Sequence, residues 1–453
     1  MFAALQKRMI ENLLYPLMER LRGNHIRAYF AALQKTQSLP AAELRALQAQ
    51  KLRTLLLTCV QSVPAYQGCG LTAEQIARDP FAALRQIPPL EKKTLQQSPE
   101  QYLNADADPA ARIANVTGGS SGQPLRFFMD RPQVEQYEAA RWRGLSWWGV
   151  SFGSRCAMLW GNPVELEKNE QRRMRLRERL LKNRVILSAY TLSPAQAGRY
   201  VRFLNRYQPE YLYGYAGALA AFAALIDAGA LPLRLRRLKV VVSTSETMTN
   251  EQKQQIEQVF GVPVAYEYGA RDAGILAYSC PEGGMHLTAE NVIVEILDPV
   301  THMPVPDGKS GVVAVTDLCN LTMPRPRYLL GDTATLSPGS CRCGRTLPLL
   351  QSLDGREETL FVLPDGTLVH GNFICQLARQ YPSIRQYQLI QTDRENAVLK
   401  LVQAAPDACA VTELYAAAAN MLPGIHLRVQ IERAILPTAS GKTPYAVRQF
   451  PLR

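Results

Sequence analysis

The chain has 453 residues, of which 47% are hydrophobic and 20% charged. This composition excludes a disordered or collagen-like chain and is that of a globular protein long enough for two or more domains. The formal net charge of +12 favours an anionic partner, but no nucleic-acid-binding motif accompanies it, so we expect no nucleic-acid partner.

Nine cysteines without a secretory signal predict a reducing compartment, and we expect a cytoplasmic protein. Charged residues interrupt residues 1–21, and no uncharged run reaches the length of a membrane span, so we expect no transmembrane segment. The amphipathic pattern of residues 1–21 suits packing against a protein core, and it also suits a helix lying on a membrane surface.

In chain order, residues 1–62 are rich in helix-forming residues with few breakers, and they predict a helical start. From 135 to 265, helical patterns alternate with apolar runs such as 155–160 and 238–242, a rhythm that predicts a largely parallel sheet. The basic run 168–184 is more typical of the solvated face of a helix than of a docking patch.

Residues 287–336 predict short strands separated by Pro, Gly and Asp. After Gly355 the pattern predicts a hairpin at 359–369, a helix at 373–380, and then strand, helix and strand through 435. The predicted fold class is therefore α/β, with a large N-terminal multi-sheet α/β domain (1–355) and a small, mobile C-terminal α+β domain (356–453).

One loop is rich in glycine and hydroxyl side chains. It reads Val-Thr-Gly-Gly-Ser-Ser-Gly-Gln-Pro over residues 116–124. Glycines let backbone N–H groups converge on an anion, and the hydroxyls add donors with little bulk. The loop lacks the lysine of a Walker loop and does not read GxGxxG, so it predicts phosphate binding of another kind. A Ser/Gly surface loop is the plain alternative.

Four further motifs follow this loop in order: YEYGARD at 266–272, RYLLGD at 327–332, DGR at 354–356 and SGK at 440–442. With the loop, they resemble the ordered motifs of adenylate-forming enzymes, and in particular the branch of phenylacetate coenzyme A ligase. The resemblance covers nearly the whole chain. It implies that a carboxylate attacks the α-phosphate of ATP to give an acyl-AMP and pyrophosphate, and that the acyl group then passes to a thiol.

The resemblance implies a role for each motif. The loop would hold the phosphates, Asp332 would grip the ribose hydroxyls, and Arg356 would reach the ribose or a phosphate at the interdomain hinge. Tyr268 would lie beside the nucleotide, and Asp272 stands where the family usually has a magnesium-binding Glu. The predicted nucleotide-binding residues are Thr117, Gly118, Gly119, Ser120, Ser121, Gly122, Ser245, Glu246, Tyr268, Gly269, Asp272, Asp332 and Arg356.

Lys442 is the predicted catalytic residue, because its ammonium can follow the charge that develops between carboxylate and α-phosphate. In the family, a small lid domain delivers this lysine for adenylation and then rotates to build the thiol site. The resemblance therefore also implies Mg²⁺ and coenzyme A, or the phosphopantetheine of a carrier protein. The plain alternative is a solvated loop lysine.

A second cluster has the residue types of a metal site. Cys280 and His286 are followed by Cys341 and Cys343, with glycines for tight turns nearby. Four ligands of this kind would close a tetrahedral Zn²⁺ site with no open position, so we expect a structural zinc knuckle within 280–343. Loop cysteines without metal are the alternative.

Three functions follow from the sequence. The first is an AMP-forming acid–thiol ligase that acts on a carboxylic acid, aromatic acids included, with coenzyme A or a carrier protein as partner. The second is an amide-forming ligase that uses the same acyl-adenylate. The third is a nucleotide-binding interaction module without turnover, for which Asp272 in place of Glu is the only hint.

Overall fold

The structure is a computed structural model that describes residues 2–116, 125–160, 176–189, 192–356, 360–365, 368–371, 373–378, 380–381, 383–436 and 444–450. It describes the backbone alone for residues 2–4, 356, 360, 368, 370, 375 and 376. The predictions for residues 117–122 and for Lys442 therefore lie outside the described residues, as does that for the side chain of Arg356.

The helices of the described residues are α1 (Phe2–Met9), α2 (Tyr15–Arg22), α3 (Ile26–Thr36), α4 (Ala41–Ser62), α5 (Ala73–Arg78), α6 (Pro80–Gln86), α7 (Lys92–Gln97), α8 (Arg131–Ser146), α9 (176–181), α10 (Pro194–Tyr207), α11 (Ala216–Ala228), α12 (Asn250–Phe260), α13 (Phe373–Ala378) and α14 (Ala408–Met421). A π-helical segment, Ile10–Leu14, joins α1 to α2.

The strands are β1 (Ile113–Val116), β2 (Arg126–Met129), β3 (Cys156–Trp160), β4 (Arg184–Ser188), β5 (Tyr211–Tyr215), β6 (Val240–Thr244), β7 (Val264–Ala270), β8 (Gly274–Ser279), β9 (Met285–Leu287), β10 (Val292–Leu297), β11 (Ser310–Asp317), β12 (Tyr328–Ser337), β13 (Leu349–Arg356), β14 (Leu360–Val362), β15 (Leu368–His370), β16 (Ile384–Gln391), β17 (Asn396–Gln403), β18 (His426–Ile431) and β19 (Ala446–Arg448).

Eleven strands form one sheet in the order β10-β11-β12-β13-β9-β8-β7-β6-β5-β3-β4. Strands β4, β3, β5, β6 and β7 are parallel, and α10, α11 and α12 connect them as the sequence predicts. Two of these helices begin at clear caps. The Ser193 side chain accepts from the Gln196 N–H, and Thr249 forms a capping box with Gln252.

Both faces of the parallel half are covered. Helices α10 to α12 bury Val201, Phe222 and Ile256 on one face, and α3 and α8 cover the other. Helix α8 lies so close to the sheet that a Cβ on Gly144 would come within 2.2 Å of a ring carbon of Tyr278. Glycine is therefore required at this position, because any side chain would push α8 away from β8.

Strands β8 to β13 complete the sheet in antiparallel pairs, and β1 and β2 form a separate antiparallel ribbon. The helical start is as predicted, with α1 to α4 inside residues 1–62. No helix of the described residues is long and apolar enough to cross a membrane.

The C-terminal residues build a second, four-stranded sheet in the order β18-β17-β16-β19. Helices α13 and α14 pack with it around Leu389, Leu399 and Leu414. The prediction of strand, helix and strand was wrong in one respect, because β16 and β17 form a hairpin before α14. Asp393 stabilises the hairpin turn by accepting from the backbone N–H groups of Glu395 and Asn396. The domain boundary after residue 355 stays a prediction.

The prediction for the basic run 168–184 needs a correction at its end. Residues 176–181 are helical, but Arg184 starts β4. Glu178 of α9 is buried and pairs with Lys182 and Arg184, whereas Arg177 and Arg179 are exposed, so only part of this end of the run is neutralised against the protein. Residues 168–175 lie outside the described residues.

Candidate active site

Two tyrosine–aspartate pairs link β7 and the turn that follows it to β12, although β7 and β12 are not neighbours in the sheet. The Tyr268 hydroxyl donates to Oδ2 of Asp332 at 2.9 Å, and the Tyr328 hydroxyl donates to Oδ2 of Asp272 at 2.8 Å. The segments 268–272 and 328–332 each supply one tyrosine and one aspartate, four residues apart. Both tyrosine rings are buried in the same hydrophobic core. The structure thus brings three predicted residues, Tyr268, Asp272 and Asp332, into one cluster.

Arg325, which the sequence analysis did not single out, supports this cluster. Its guanidinium is 2% exposed, and Nη2 donates to the carbonyl oxygen of Asp272 at 2.5 Å. Cζ lies 5.2 Å from the ring centre of Phe127 and 5.8 Å from that of Tyr328. Nη1 is buried without a hydrogen-bond partner among the described residues. A buried cation therefore fixes the turn that carries Asp272.

The ends of the predicted phosphate loop lie next to this turn. Nη1 of Arg271 donates to the carbonyl oxygen of Val116, the last residue of β1, at 3.0 Å. Leu125 is fully buried in the core that holds Tyr268 and Tyr328. Residues 117–124 lie outside the described residues, but the chain end before them is tied to the Asp272 turn and the chain end after them is buried in the core that holds Tyr268 and Tyr328.

The predicted hinge pairs directly with the predicted ribose ligand. In the antiparallel pair of β12 and β13, Asp332 lies opposite Arg356 and Thr333 opposite Gly355. The Thr333 hydroxyl donates to the carbonyl oxygen of Gly355 at 3.3 Å. Gly355 has φ +126°, a conformation that other residues avoid. The backbone of residue 356 is therefore held beside Asp332.

Ser245 and Glu246 follow β6 at the carboxyl edge of the parallel strands. The register sets Thr244 opposite Glu267, so Ser245 follows at the level of Tyr268. Ser245 adopts φ +67° at this turn. Oε2 of Glu246 accepts from the N–H of Gly217, at the start of α11, at 2.8 Å. Glu246 therefore has a structural role as an acceptor at a helix N-terminus, beside its predicted role.

Gly269 and Glu267 have structural explanations as well. A Cβ on Gly269 would come within 2.8 Å of the carbonyl oxygen of Gly274, in the next strand. Glu267 is buried and accepts from Tyr213 at 2.5 Å and from Arg141 at 3.1 Å. Burial lowers the pKa of Arg141, but Glu267, Tyr213 and Glu138 together outweigh this effect and raise that pKa well above its ordinary value. Glu267 is thus tied to a structural cation.

Aromatic side chains end two strands at the same edge. Trp160, the last residue of β3, stacks on Tyr215, the last residue of β5, with ring centres 4.1 Å apart. Both rings are partly exposed, whereas Tyr213 is buried beneath them. This stack offers a flat apolar surface at the carboxyl ends of the parallel strands.

The four predicted zinc ligands also meet. The donor atoms of Cys280, His286, Cys341 and Cys343 all lie within 4.8 Å of one another. Sγ of Cys280 lies 3.5 Å from Sγ of Cys341, and Sγ of Cys343 lies 3.2 Å from Nε2 of His286. A Cβ on Gly284 would come within 2.6 Å of the Cys341 sulfur, so the close turn requires glycine.

The state of His286 suits metal binding. Its Nδ1 lies 3.4 Å from the carbonyl oxygen of Leu347, a contact that directs Nε2 toward the three sulfurs. Burial lowers the pKa of His286 to about 4, so the imidazole is neutral near pH 7. Trp147 packs edge-on against the imidazole ring at 5.4 Å. Three soft sulfurs and one imidazole fit Zn²⁺ and fill its coordination sphere.

Comparisons with known proteins concern the sequence and the fold of the chain as a whole. No model of a protein family matches the chain. Phenylacetate-coenzyme A ligase of Thermus thermophilus is 26% identical over 379 residues, which are 80% of this chain and 81% of the relative. Protein CapK of Staphylococcus aureus is 20% identical over 71% of this chain and 70% of the relative.

Among solved structures, a 2-hydroxyisobutyryl-CoA ligase in the postadenylation state, in complex with 2-HIB-AMP, aligns with a TM-score of 0.71 at 20% identity and covers 92% of both chains. The chain therefore has the fold of the adenylate-forming coenzyme A ligases. In sequence it is similar to phenylacetate-coenzyme A ligases. The predicted resemblance and the predicted α/β fold class are thereby confirmed.

Proposed function

We propose that the protein is an AMP-forming acid–thiol ligase. A carboxylate oxygen bonds to the α-phosphorus of ATP while the bond from that phosphorus to pyrophosphate breaks. A thiolate then bonds to the acyl carbon, the acyl C–O bond breaks, and AMP leaves. The observation that carries this proposal is the cluster of Tyr268, Asp332, Asp272 and Tyr328, with the residue before the predicted phosphate loop tied to the Asp272 turn.

Asp332 is the proposed ribose ligand. A carboxylate has about four acceptor positions, so it can accept from Tyr268 and still bind two ribose hydroxyls. Burial of the Tyr268 ring holds the phenol in place, and the phenol in turn orients the carboxylate. Arg356, opposite Asp332 in the strand pair, would add a cation for the ribose or a phosphate.

Residues 117–122 would surround the phosphates with N–H and hydroxyl donors. Arg271 supports this role, because its contact with the Val116 carbonyl fixes the entry to the loop and places a cation there. Ser245 and Gly269 would line the nucleotide with backbone, and Glu246 would position the β6 turn through α11.

Asp272 is the proposed magnesium ligand. The bond from Tyr328 holds its carboxylate, and the bond from Arg325 holds its backbone. An aspartate is one methylene shorter than the usual glutamate, so it would bind Mg²⁺ through water or at closer approach. When bound, Mg²⁺ neutralises charge on the phosphates.

Lys442 would be delivered by the small domain for the first half-reaction only. Its ammonium would neutralise charge on the attacking carboxylate and the α-phosphate. Rotation about the segment that follows Arg356 would then remove it and admit the thiol. Because β13 ends at Arg356 beside Asp332, such a rotation would start at the nucleotide itself.

The acceptor is proposed to be coenzyme A. The phosphopantetheine of a carrier protein is the alternative thiol. An amine would be the acceptor if the protein were an amide-forming ligase. The Trp160–Tyr215 stack favours an acid with a flat apolar group. The cluster of Cys280, His286, Cys341 and Cys343 is proposed to bind one structural Zn²⁺ that ties β9 to the segment before β13.

Acid-dependent exchange of labelled pyrophosphate into ATP, over a panel of aromatic and aliphatic acids, tests the first half-reaction. We expect exchange with one or a few acids and a loss of at least a hundredfold in Lys442→Ala. Lys400→Ala, in the same predicted domain, is the matched control. Exchange that survives in Lys442→Ala would contradict the assignment of the lysine. Mass spectrometry after addition of coenzyme A, carrier protein or amine then identifies the acceptor.

A further inference from the structure

The N-terminal helical segment, residues 5–22, exposes a line of large apolar side chains. Their exposed fractions are 66% for Leu5, 45% for Met9, 60% for Leu13, 47% for Leu17 and 78% for Leu21. Single exposed leucines are ordinary on a protein surface, but five at a constant spacing of four residues form a continuous strip. We call these five residues the apolar strip.

The backbone keeps the strip on one side. In an α-helix, residues four apart are rotated by about 40°, so five of them would wind far around the axis. The π-helical segment Ile10–Leu14 interrupts this rotation, because its wider turn rotates the chain less per residue. The phase of the strip is thus partly reset between Met9 and Leu17.

The inward side of the same segment is unusually polar. Nζ of Lys7 donates to Glu210 at 2.7 Å, and Glu11 accepts from the Ser151 hydroxyl at 3.3 Å. Glu19 is 6% exposed and pairs with Arg27. An ordinary surface helix turns its leucines to the core and its acids to water. In this segment Glu11 and Glu19 are both turned inward, where Ser151 and Arg27 contact them, and the leucines of the apolar strip face outward.

The charge on the exposed side has one sign. Between Leu5 and Arg22, every residue of which the structure describes, the exposed charged residues are Arg8, Arg20 and Arg22. Lys182, which follows α9, lines a cavity of about 320 Å³ together with Tyr15 and Met18 of α2. Within α9, Leu176 and Leu180 are exposed, as are Arg177 and Arg179.

We propose that the apolar strip and its arginines dock the protein on an anionic lipid surface. Leucine side chains would enter the headgroup region while the arginines pair with lipid phosphates, as in interfacial amphipathic helices. A second copy of the chain fits less well, because a symmetric contact through the strip would bring arginine against arginine. The strip would thus hold the protein at a membrane surface.

Flotation of the full-length protein with lipid vesicles tests this proposal. We expect binding to phosphatidylcholine vesicles that contain about one third phosphatidylserine, weaker binding to pure phosphatidylcholine, and release as salt rises from about 0.1 M to about 1 M. The double variant Leu13→Ser/Leu17→Ser should lose at least tenfold in binding. Arg8→Gln/Arg20→Gln should lose about thirtyfold in binding on the anionic vesicles only.

Val300→Ser/Met303→Ser is the matched control, since it removes two exposed apolar side chains from a turn elsewhere, and it should bind as the wild type does. Thermal melting and pyrophosphate exchange should be unchanged in all variants, because the altered residues are exposed and lie outside the proposed active site. Equal binding of the leucine variant and the wild type would overturn the proposal. So would light scattering that shows a wild-type dimer, a monomeric leucine variant, and no vesicle binding by either.

Discussion

The hydrogen bond between Tyr268 and Asp332 offers a sharp test of the site. Tyr268→Phe removes only the hydroxyl that donates to Oδ2 of Asp332 at 2.9 Å, and the buried ring keeps its packing. A hydrogen bond to a charged group contributes roughly 1.5–3 kcal/mol, which corresponds to about ten- to a hundredfold in affinity. For Tyr268→Phe we expect AMP affinity to fall by about tenfold, the lower end of this range, because water can replace the phenol in part.

The assay is calorimetric titration with AMP, supported by the KM for ATP in pyrophosphate exchange. Tyr328→Phe is the matched control, because it removes the equivalent bond to Asp272. It should leave AMP affinity within about twofold and instead raise the Mg²⁺ concentration needed for exchange. If Tyr268→Phe binds AMP as tightly as the wild type, Asp332 does not hold the ribose in the way proposed.

Three further predictions concern metal, packing and pH. Elemental analysis should find one Zn²⁺ per chain in the wild type and in Cys409→Ser, which changes an exposed cysteine, and none in Cys341→Ser. Gly144→Ala should cost about 1–3 kcal/mol of unfolding free energy in urea titration, because α8 must move away from the ring packed on it. Burial raises the pKa of Glu210, but Lys7 and Lys239 outweigh this and lower it from 4.5. The lowered pKa means that the carboxylate stabilises the fold above pH 4.5 and that this contribution is lost as pH falls below it. The stability difference between wild type and Glu210→Gln should therefore be constant near pH 7 and shrink below pH 4.5; a difference that grows on acidification would refute this.

Local sequence patterns predicted the parallel half of the sheet well. Apolar runs that alternate with capped helices dictate β3 to β7, because each helix can bury its apolar side only against the neighbouring strands. The β16–β17 hairpin was missed, although the polar turn around Asp393 lies between two alternating apolar runs and is the signal that could have found it.

For the candidate active site, the sequence indicated which residues to consider but not which of them are in contact. Tyr268 and Asp332 are 64 positions apart on strands that are not neighbours, so no sequence spacing could show that they share a hydrogen bond. Arg325 was missed because an arginine between two prolines resembles a solvated loop, and only the fold buries it under Asp272. The proximity of the four proposed zinc ligands was easier to predict, since Cys and His near glycine turns are a distinctive set of donors.

The fate of carboxylate oxygen tests the central proposal most directly. With an acid that supports exchange, labelled with ¹⁸O in its carboxyl group, one complete turnover with ATP and a thiol should give AMP that carries one ¹⁸O atom, because the oxygen that attacked the α-phosphorus stays with AMP. Unlabelled AMP, or label found in phosphate or pyrophosphate, would contradict the acyl-adenylate and with it the account of the site.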